Sequence, residues 1–126
     1  MTAAERALER ARAMLGIPFR PHGRDARGVD CVGLVGLAWG VEVPSGYAMR
    51  GTPHARIEQA LASLGFELAA TDVPGAIVLG APGPGQLHLA IATGRGVIHA
   101  DAGARRVVER DAPLGWPLIA AWIWED

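Results

Sequence analysis

The sequence has little cysteine, little net charge and no long hydrophobic run, and each shortage excludes a class of protein. The single cysteine, Cys31, excludes an internal disulfide framework and a cysteine-rich zinc module. A net charge of -1 indicates neither a nucleic-acid-binding surface nor a surface for anionic membranes. No apolar run approaches the length that spans a bilayer. We therefore expect no nucleic acid, no membrane and no cofactor among its ligands.

The composition is that of one soluble globular domain. The 126 residues are 50% hydrophobic and 20% charged, and they contain no repeat, low-complexity tract or linker. We therefore expect a single domain over residues 1–126. Because the N-terminus lacks the charged-then-apolar layout of a signal peptide, we also expect synthesis in the cytoplasm, with another component carrying the protein elsewhere.

Helical patterns come first along the chain and strand patterns follow. Thr2 and Glu5 form a capping box for a first helix, and Thr52 as cap with Pro53 as first helical residue predicts another. Residues 16–29 read as a loop. This order favours an α+β fold with N-terminal helices packed on an antiparallel sheet of about five to six strands. The predicted strands are Phe66–Ala69, Ala76–Leu79, Leu87–Ala92, Gly96–Ala100, Arg105–Arg110 and Ile119–Trp124.

The cysteine stands at the head of an apolar segment, residues 31–40. Asp30, directly before it, is a good N-cap, so Cys31 falls in the first turn of a helix. Backbone N–H groups and the helix dipole favour the thiolate there, which predicts a nucleophile of lowered pKa. A lone cysteine is otherwise most often a small buried hydrophobe. Three glycines give the helix a face without side chains, where we expect close approach to the sheet: Gly33, Gly36 and Gly40.

Two of the predicted strands carry histidines and are joined by a glycine-containing hairpin. The simplest register pairs Ala92 with Val97, which sets His88 opposite Asp101. Alternation then places His88 and His99 on the same face, as diagonal neighbours about 7–8 Å apart at the backbone. Taken alone, each histidine also reads as a satisfied core residue.

The histidine face is lined by small alanines, so we expect the glycine face of the cysteine helix to cover it. Cys31 would then approach His88, with His99 behind it to orient the imidazole and Asp101 as the second choice for that role. A thiol, a base and an orienting polar group make a nucleophilic triad.

Three patches of the sequence, DCVGLV at 30–35, HLAI at 88–91 and VIHA at 97–100, resemble the NlpC/P60 cysteine peptidases. Within that family they are most similar to small cell-wall peptidases of the phage and gene-transfer-agent types. The resemblance covers nearly the whole chain, including residues 15–20 and 74–79. It implies a papain-like core and hydrolysis of peptidoglycan stem peptides, typically between D-glutamate and diaminopimelate. It also implies partners in a phage-like tail or hub, and a tail-associated location from which the protein acts on the periplasmic cell wall.

The resemblance assigns Cys31 as the nucleophile, His88 as the base and His99 as the third polar residue. The family usually has tyrosine where this chain has Phe19, with the hydroxyl at the oxyanion or substrate site, and aspartate where this chain has Ala76. The candidate substrate-binding residues are Phe19, Arg20 and Asp30, of which Asp30 also reads as a simple cap.

The remaining arginines, histidines and tryptophans of interest are either open between a functional and a structural interpretation or are assigned a structural one. Three arginines line the substrate groove in one interpretation and belong to a solvated loop in the other: Arg20, Arg24 and Arg27. We expect His22 and His54 to be solvated, and Trp122 and Trp124 to pack in the core.

Two other functions stay open beside the peptidase. The same fold can serve as a catalytically weak or inactive tail or hub module, which the departures at Phe19 and Ala76 favour. Cys31, His88 and His99 also offer three zinc-type ligands. A thiol at a helix head is better explained as a nucleophile, so we expect no metal.

Overall fold

The computed structural model describes residues 1–43 and 51–126. The segment 44–47, where the sequence shows no clear period, lies outside the described residues. Within the two described ranges, no helix is both long and apolar enough to cross a membrane. The helices are α1 (Ala3–Ala13), α2 (Cys31–Trp39) and α3 (His54–Ser63). The strands are β1 (Arg24–Asp25), β2 (Gly28–Val29), β3 (Glu67–Ala69), β4 (Ile77–Gly80), β5 (His88–Ala92), β6 (Gly96–Asp101), β7 (Arg106–Asp111) and β8 (Leu118–Ile123).

The larger sheet has six strands in the order β3-β8-β4-β5-β6-β7, and each neighbouring pair is antiparallel. Each predicted strand matches an observed strand to within one residue at either end. Short apolar runs bounded by glycine and proline therefore marked the strands well. The helices and this sheet confirm the predicted α+β fold.

The ends of two helices follow their sequence signals, with one correction. The Thr2 hydroxyl accepts a hydrogen bond from the Glu5 N–H at 3.1 Å, and the Glu5 carboxylate accepts one from the Thr2 N–H at 3.3 Å. These two bonds confirm the capping box of α1. Pro53 is the N-cap of α3 and not its first helical residue, because its ψ of 141° is extended. α3 therefore begins at His54 without a side-chain cap.

Residues 16–29, predicted as a loop, contain a small hairpin. β1 pairs with β2 through Arg24 and Val29, and Phe19 forms a parallel bridge to Val29. A Cβ at Gly23 would overlap the Gly28 carbonyl, so the two arms touch through their backbones. Strands of two residues are too short to show alternation, which is why the sequence pattern reads as a loop. The hairpin holds the chain directly before α2.

The two faces of the larger sheet are covered differently. All three helices pack on the face that carries Leu79, Leu89 and Ile98. The opposite face is lined by smaller side chains such as Ala90 and Val97, and the connection between β7 and β8 covers it. The sheet therefore has a thick helical layer on one side and a thin cover on the other.

The expectation that the cysteine helix covers the histidine face is wrong. Each histidine is next in sequence to a residue of the helix-covered face, so alternation places His88 and His99 on the opposite face. The physical reason is the volume of the apolar side chains on α2. α2 carries the fully buried Leu34 and Val35, which share a cluster with the large apolar side chains of the helix-covered face.

The glycines of α2 approach connecting segments and not the sheet. A Cβ at Gly33 would overlap the carbonyl oxygen of Gly23, and a Cβ at Gly36 would lie 3.0 Å from the carbonyl oxygen of Val41. Gly40 is the C-cap of α2, with a φ of 68°. The segments before and after α2 therefore close on its glycine face.

The C-terminal tryptophans and two histidines only partly match expectation. Trp122 is buried in the main core as predicted, but Trp124 is 46% exposed and lies near Gly65, because β8 ends at the residue before it. His22 is exposed, as predicted. The prediction that His54 is solvated holds in part, since 41% of its side chain is exposed while its ring lies 6.3 Å from the Trp122 ring, centroid to centroid.

Gly75 offers a test of how closely α1 approaches the sheet. Its φ is 90° and a Cβ there would overlap the Ala4 carbonyl oxygen, whereas Gly16 has a φ of 89° and open space around it. We expect Gly75→Ala to lower the free energy of unfolding by about 3 kcal/mol or more, and Gly16→Ala by about 1–2 kcal/mol, since only backbone strain applies at Gly16. Urea denaturation measures both values. Equal losses for the two variants would contradict the close approach.

Candidate active site

The start of α2 is held by the carboxylate of Asp30. Its Oδ1 accepts hydrogen bonds from the Gly33 N–H at 2.8 Å and from Nη1 of Arg24 at 2.7 Å. Its Oδ2 accepts one from the His22 N–H at 2.9 Å. Asp30 is therefore the predicted N-cap and also ties the preceding loop to the helix. Both carboxylate oxygens are already engaged within the chain.

Cys31 is the first residue of α2, and its side chain is buried. Burial raises the pKa of the thiol to about 11, and the negative charge of Asp30 raises it further. Backbone N–H groups of Leu89, Val32 and Cys31 itself act in the opposite direction, because they stabilise the thiolate. The expected preference for thiolate is therefore wrong for the free protein, because loss of hydration outweighs the helix N-terminus.

The Leu89 N–H stabilises negative charge on the Cys31 sulfur, which therefore lies near the backbone at the start of β5. Leu89 directly follows His88 in this strand. Cys31 and His88 are more than fifty positions apart in the sequence. The structure thus packs α2 on the strand that carries the first histidine, from the face opposite the predicted one, and the approach of the thiol to the His88 ring stays a prediction.

The two histidines contact each other directly. Nε2 of His88 lies 2.8 Å from Nδ1 of His99, and the ring planes are nearly perpendicular. The hairpin register that brings them together is the predicted one, with Ile91 opposite Ile98 and Ala92 opposite Val97. The hydrogen bond occupies Nε2 of His88 and leaves Nδ1 as the ring nitrogen for another partner.

Both imidazoles are neutral at neutral pH. Burial lowers the pKa of His88 to about 4, the His99 ring lowers it further and the Asp101 carboxylate opposes the shift. Burial also lowers the pKa of His99, where Asp101 again opposes the shift and Arg110 reinforces it. The carboxylate of Asp101 accepts the Gly103 N–H at 2.9 Å. Asp101 therefore acts on the pair by charge, and His99 is the residue that touches His88.

Trp116 belongs to the same cluster of rings and has no counterpart among the predicted site residues. Its ring centroid lies 5.9 Å from that of His88 and 6.1 Å from that of His99. A Cβ at Gly80 would overlap its six-membered ring, and Gly80 pairs directly with His88 across β4 and β5. A glycine that ends an apolar strand indicates close approach of another group. That signal was available in the sequence, although it does not say which side chain approaches.

The predicted substrate-binding residues lie around the start of α2. Phe19 is half-buried against the main core, and Arg20 is exposed with its stem over Gly28. Arg24 is paired with Asp30, and Arg27 is exposed. A groove of about 710 Å³ runs along the outer side of α2, lined by Arg24, Val32, Gly33, Gly36, Leu37, Val41, Glu42 and Val43.

The zinc alternative gains no support from the described part of the chain. Among residues 1–43 and 51–126, no three His, Cys, Asp or Glu side chains form a group that could hold a metal ion. One nitrogen of each histidine is already used in their mutual hydrogen bond.

Comparison with known proteins identifies the fold. No family model matches the sequence, and no curated protein does. Among solved structures, NlpC1 from Trichomonas vaginalis is similar at a TM-score of 0.72 and 20% identity, over 97% of this chain and 45% of that one. The NlpC/p60 domain of the peptidoglycan hydrolase SagA is similar at 0.65 and 21%, over 94% of this chain and 96% of that domain.

The peptidoglycan hydrolase RipB from Mycobacterium tuberculosis is also similar, at a TM-score of 0.58 and 23% identity, over 98% of this chain and 65% of that one. The chain spans less than half the length of the two Trichomonas structures, NlpC1 and NlpC2. Likeness at these identities is a likeness of fold. The chain therefore has the papain-like α+β fold of NlpC/P60 domains, as the sequence resemblance implies.

Proposed function

We propose that this domain is a cysteine peptidase that hydrolyses peptidoglycan stem peptides, at the bond between D-glutamate and diaminopimelate. One observation carries the proposal: a thiol at a helix N-terminus lies near the start of the strand that presents His88, whose Nε2 is hydrogen-bonded to a second histidine. The fold supports it too, since SagA and RipB, which share this fold, are peptidoglycan hydrolases. Cys31 is the nucleophile, His88 the base and His99 the orienting residue.

Proton transfer accompanies nucleophilic attack in this mechanism. Because the Cys31 thiol and the His88 imidazole are both neutral in the free protein, no thiolate–imidazolium ion pair exists before the substrate binds. Nδ1 of His88 takes the thiol proton as Sγ bonds to the carbonyl carbon of the substrate. The requirement on His99 follows directly: its Nδ1 must accept the Nε2–H of His88, so that Nδ1 of His88 keeps a lone pair.

The N-terminus of α2 stabilises the charge that develops on the carbonyl oxygen. The N–H groups of Cys31 and Val32 stabilise negative charge at the sulfur, and the Asp30 carboxylate caps the Gly33 N–H and not these two. They therefore hold the oxyanion. The carbon–nitrogen bond then breaks, and the proton on His88 passes to the departing amine. Water hydrolyses the thioester by the same steps in reverse roles, which returns the thiol.

The partners and the location are the part of the proposal that the sequence resemblance alone supports. The domain reaches the periplasmic cell wall as a component of a phage-like tail or hub. We expect mass spectrometry of purified tail-like particles from the producing cells to detect the chain at a fixed ratio to tail proteins. Its recovery only outside such particles would contradict this location.

A second candidate function is a catalytically weak or inactive module with the same fold. The burial of Cys31, which is only 6% exposed, favours it. The phenylalanine at position 19 favours it as well, because one lost oxyanion donor costs about 10²–10³ in rate. Hydrolysis measurements separate the two functions.

We expect the purified domain to release peptides from isolated sacculi, and Cys31→Ala and His88→Ala each to lower kcat by about 10⁴-fold, because either change removes a part of the triad. Mass spectrometry of the products identifies the bond. His22→Asn, in the exposed turn that leads to the same helix, is the matched control and keeps full activity. No hydrolysis by the wild type would leave the inactive module as the function, and equal hydrolysis by wild type and Cys31→Ala would exclude Cys31 as the nucleophile.

The protonated thiol predicts slow alkylation. At pH 7 we expect iodoacetamide to react with Cys31 about 10²-fold more slowly than with free cysteine, whose pKa is about 8.5, since only the thiolate reacts. The rate rises with pH until the thiol pKa of about 11. The chain has one cysteine, so all the modification measured by mass spectrometry reports on this residue. Rapid alkylation of the folded protein at pH 7 would show that the thiol is ionised.

A further inference from the structure

Trp116 packs against the histidine pair on the face of the sheet that the helices leave free. Its ring contacts both imidazoles, at 5.9 and 6.1 Å between centroids. On its other side is a groove of about 390 Å³ between the β5–β6 hairpin and the connection to β8. Trp116 lines that groove, and neither histidine does. The indole is therefore the wall between this groove and the two imidazoles.

The backbone around Trp116 fixes the position of its indole. Gly80 leaves the space that the six-membered ring occupies. The Ala81 N–H donates to the Pro117 carbonyl at 3.0 Å, and Nη2 of Arg110 donates to the Leu114 carbonyl at 3.0 Å. These bonds anchor the connection on both sides of the tryptophan, one to β7 and the other to the residue that follows β4.

The environment of Nε2 of His99 indicates that the indole excludes water. Nε2 of His99 is buried and has no hydrogen-bond partner among the described residues. If His99 accepts through Nδ1, its Nε2 carries the proton, and an aromatic ring is a weak acceptor for such a group. Water admitted here would offer a stronger partner to His99 and would also compete for the bond to His88.

We propose that Trp116 is a positioning residue for the histidine pair: its indole keeps water from the His88–His99 hydrogen bond and so holds Nδ1 of His88 free to take the Cys31 proton. The catalytic part of this inference rests on the proposed peptidase function. The shielding part does not, since it concerns the free protein.

Three other groups act on the pair and must be kept constant in any test. Asp101, on β6, opposes the lowered pKa of both histidines, and Arg110, on β7, reinforces that of His99. Cys31, at the start of α2, lies against Leu89, the residue after His88. Substitution of Trp116 changes none of these charges, so a shift in the titration of His88 reports on water access.

The test compares Trp116→Leu with Trp116→Phe, by titrating the imidazoles of the free protein with ¹⁵N NMR. We expect Trp116→Leu to move the His88 pKa from about 4 by at least one unit toward the ordinary value of 6.5, and to mix the two tautomers. Trp116→Phe keeps a ring over the pair and stays close to wild type. Gly80→Ala, which pushes the indole aside without removing it, shifts His88 in the same direction as Trp116→Leu.

Hydrolysis of sacculi provides the second readout. We expect Trp116→Leu to lower kcat about tenfold with little change in KM, which is less than the 10²–10⁴-fold that a general base contributes. An unchanged His88 pKa and tautomer in both folded Trp116→Leu and folded Gly80→Ala would overturn the inference, whether or not the wild type is active. Absence of hydrolysis by the wild type would overturn the proposed function and leave the NMR result to decide the shielding.

Discussion

The packing of α2 on the sheet determines the chemistry available to this domain. Burial of the fully apolar helix against the strands places the Cys31 sulfur beside the Leu89 backbone and removes it from water. The same burial keeps the thiol protonated, although a helix N-terminus by itself favours the anion. A nucleophile in this position depends on a neighbouring base at the moment of attack and not on a charge stored beforehand.

The two faces of the sheet supply different parts of the site. The helix-covered face holds the cysteine near the Leu89 backbone, and the opposite face holds the imidazoles beside Trp116. The small residues Ala90 and Val97 leave the second face thinly covered. The histidine pair is buried in that space, and both imidazoles are neutral because burial outweighs the opposing charge of Asp101.

Local signals predicted the strands, the caps and the hairpin register, and the register was enough to bring His88 and His99 together. These features depend on neighbours in sequence, such as Asp30 before Cys31. The covered face and the thiol pKa were mispredicted because both depend on packing between elements far apart in the chain. Trp116 lies in a connection without periodicity, and only the glycine at position 80 hinted at a ring nearby. The order of the motifs carried the fold assignment, which the structural likeness confirms.

Because Cys31 is buried and protonated, its thiol is expected to resist oxidation. The thiolate is the form that attacks peroxides and disulfides, and susceptibility to oxidation follows thiolate character and exposure. A side chain that is 6% exposed and holds its proton up to a pKa of about 11 therefore resists conversion to sulfenic acid or a mixed disulfide. Burial therefore protects the Cys31 sulfur from oxidants in the free protein. The sulfur becomes a nucleophile only when a substrate and a base are both in place.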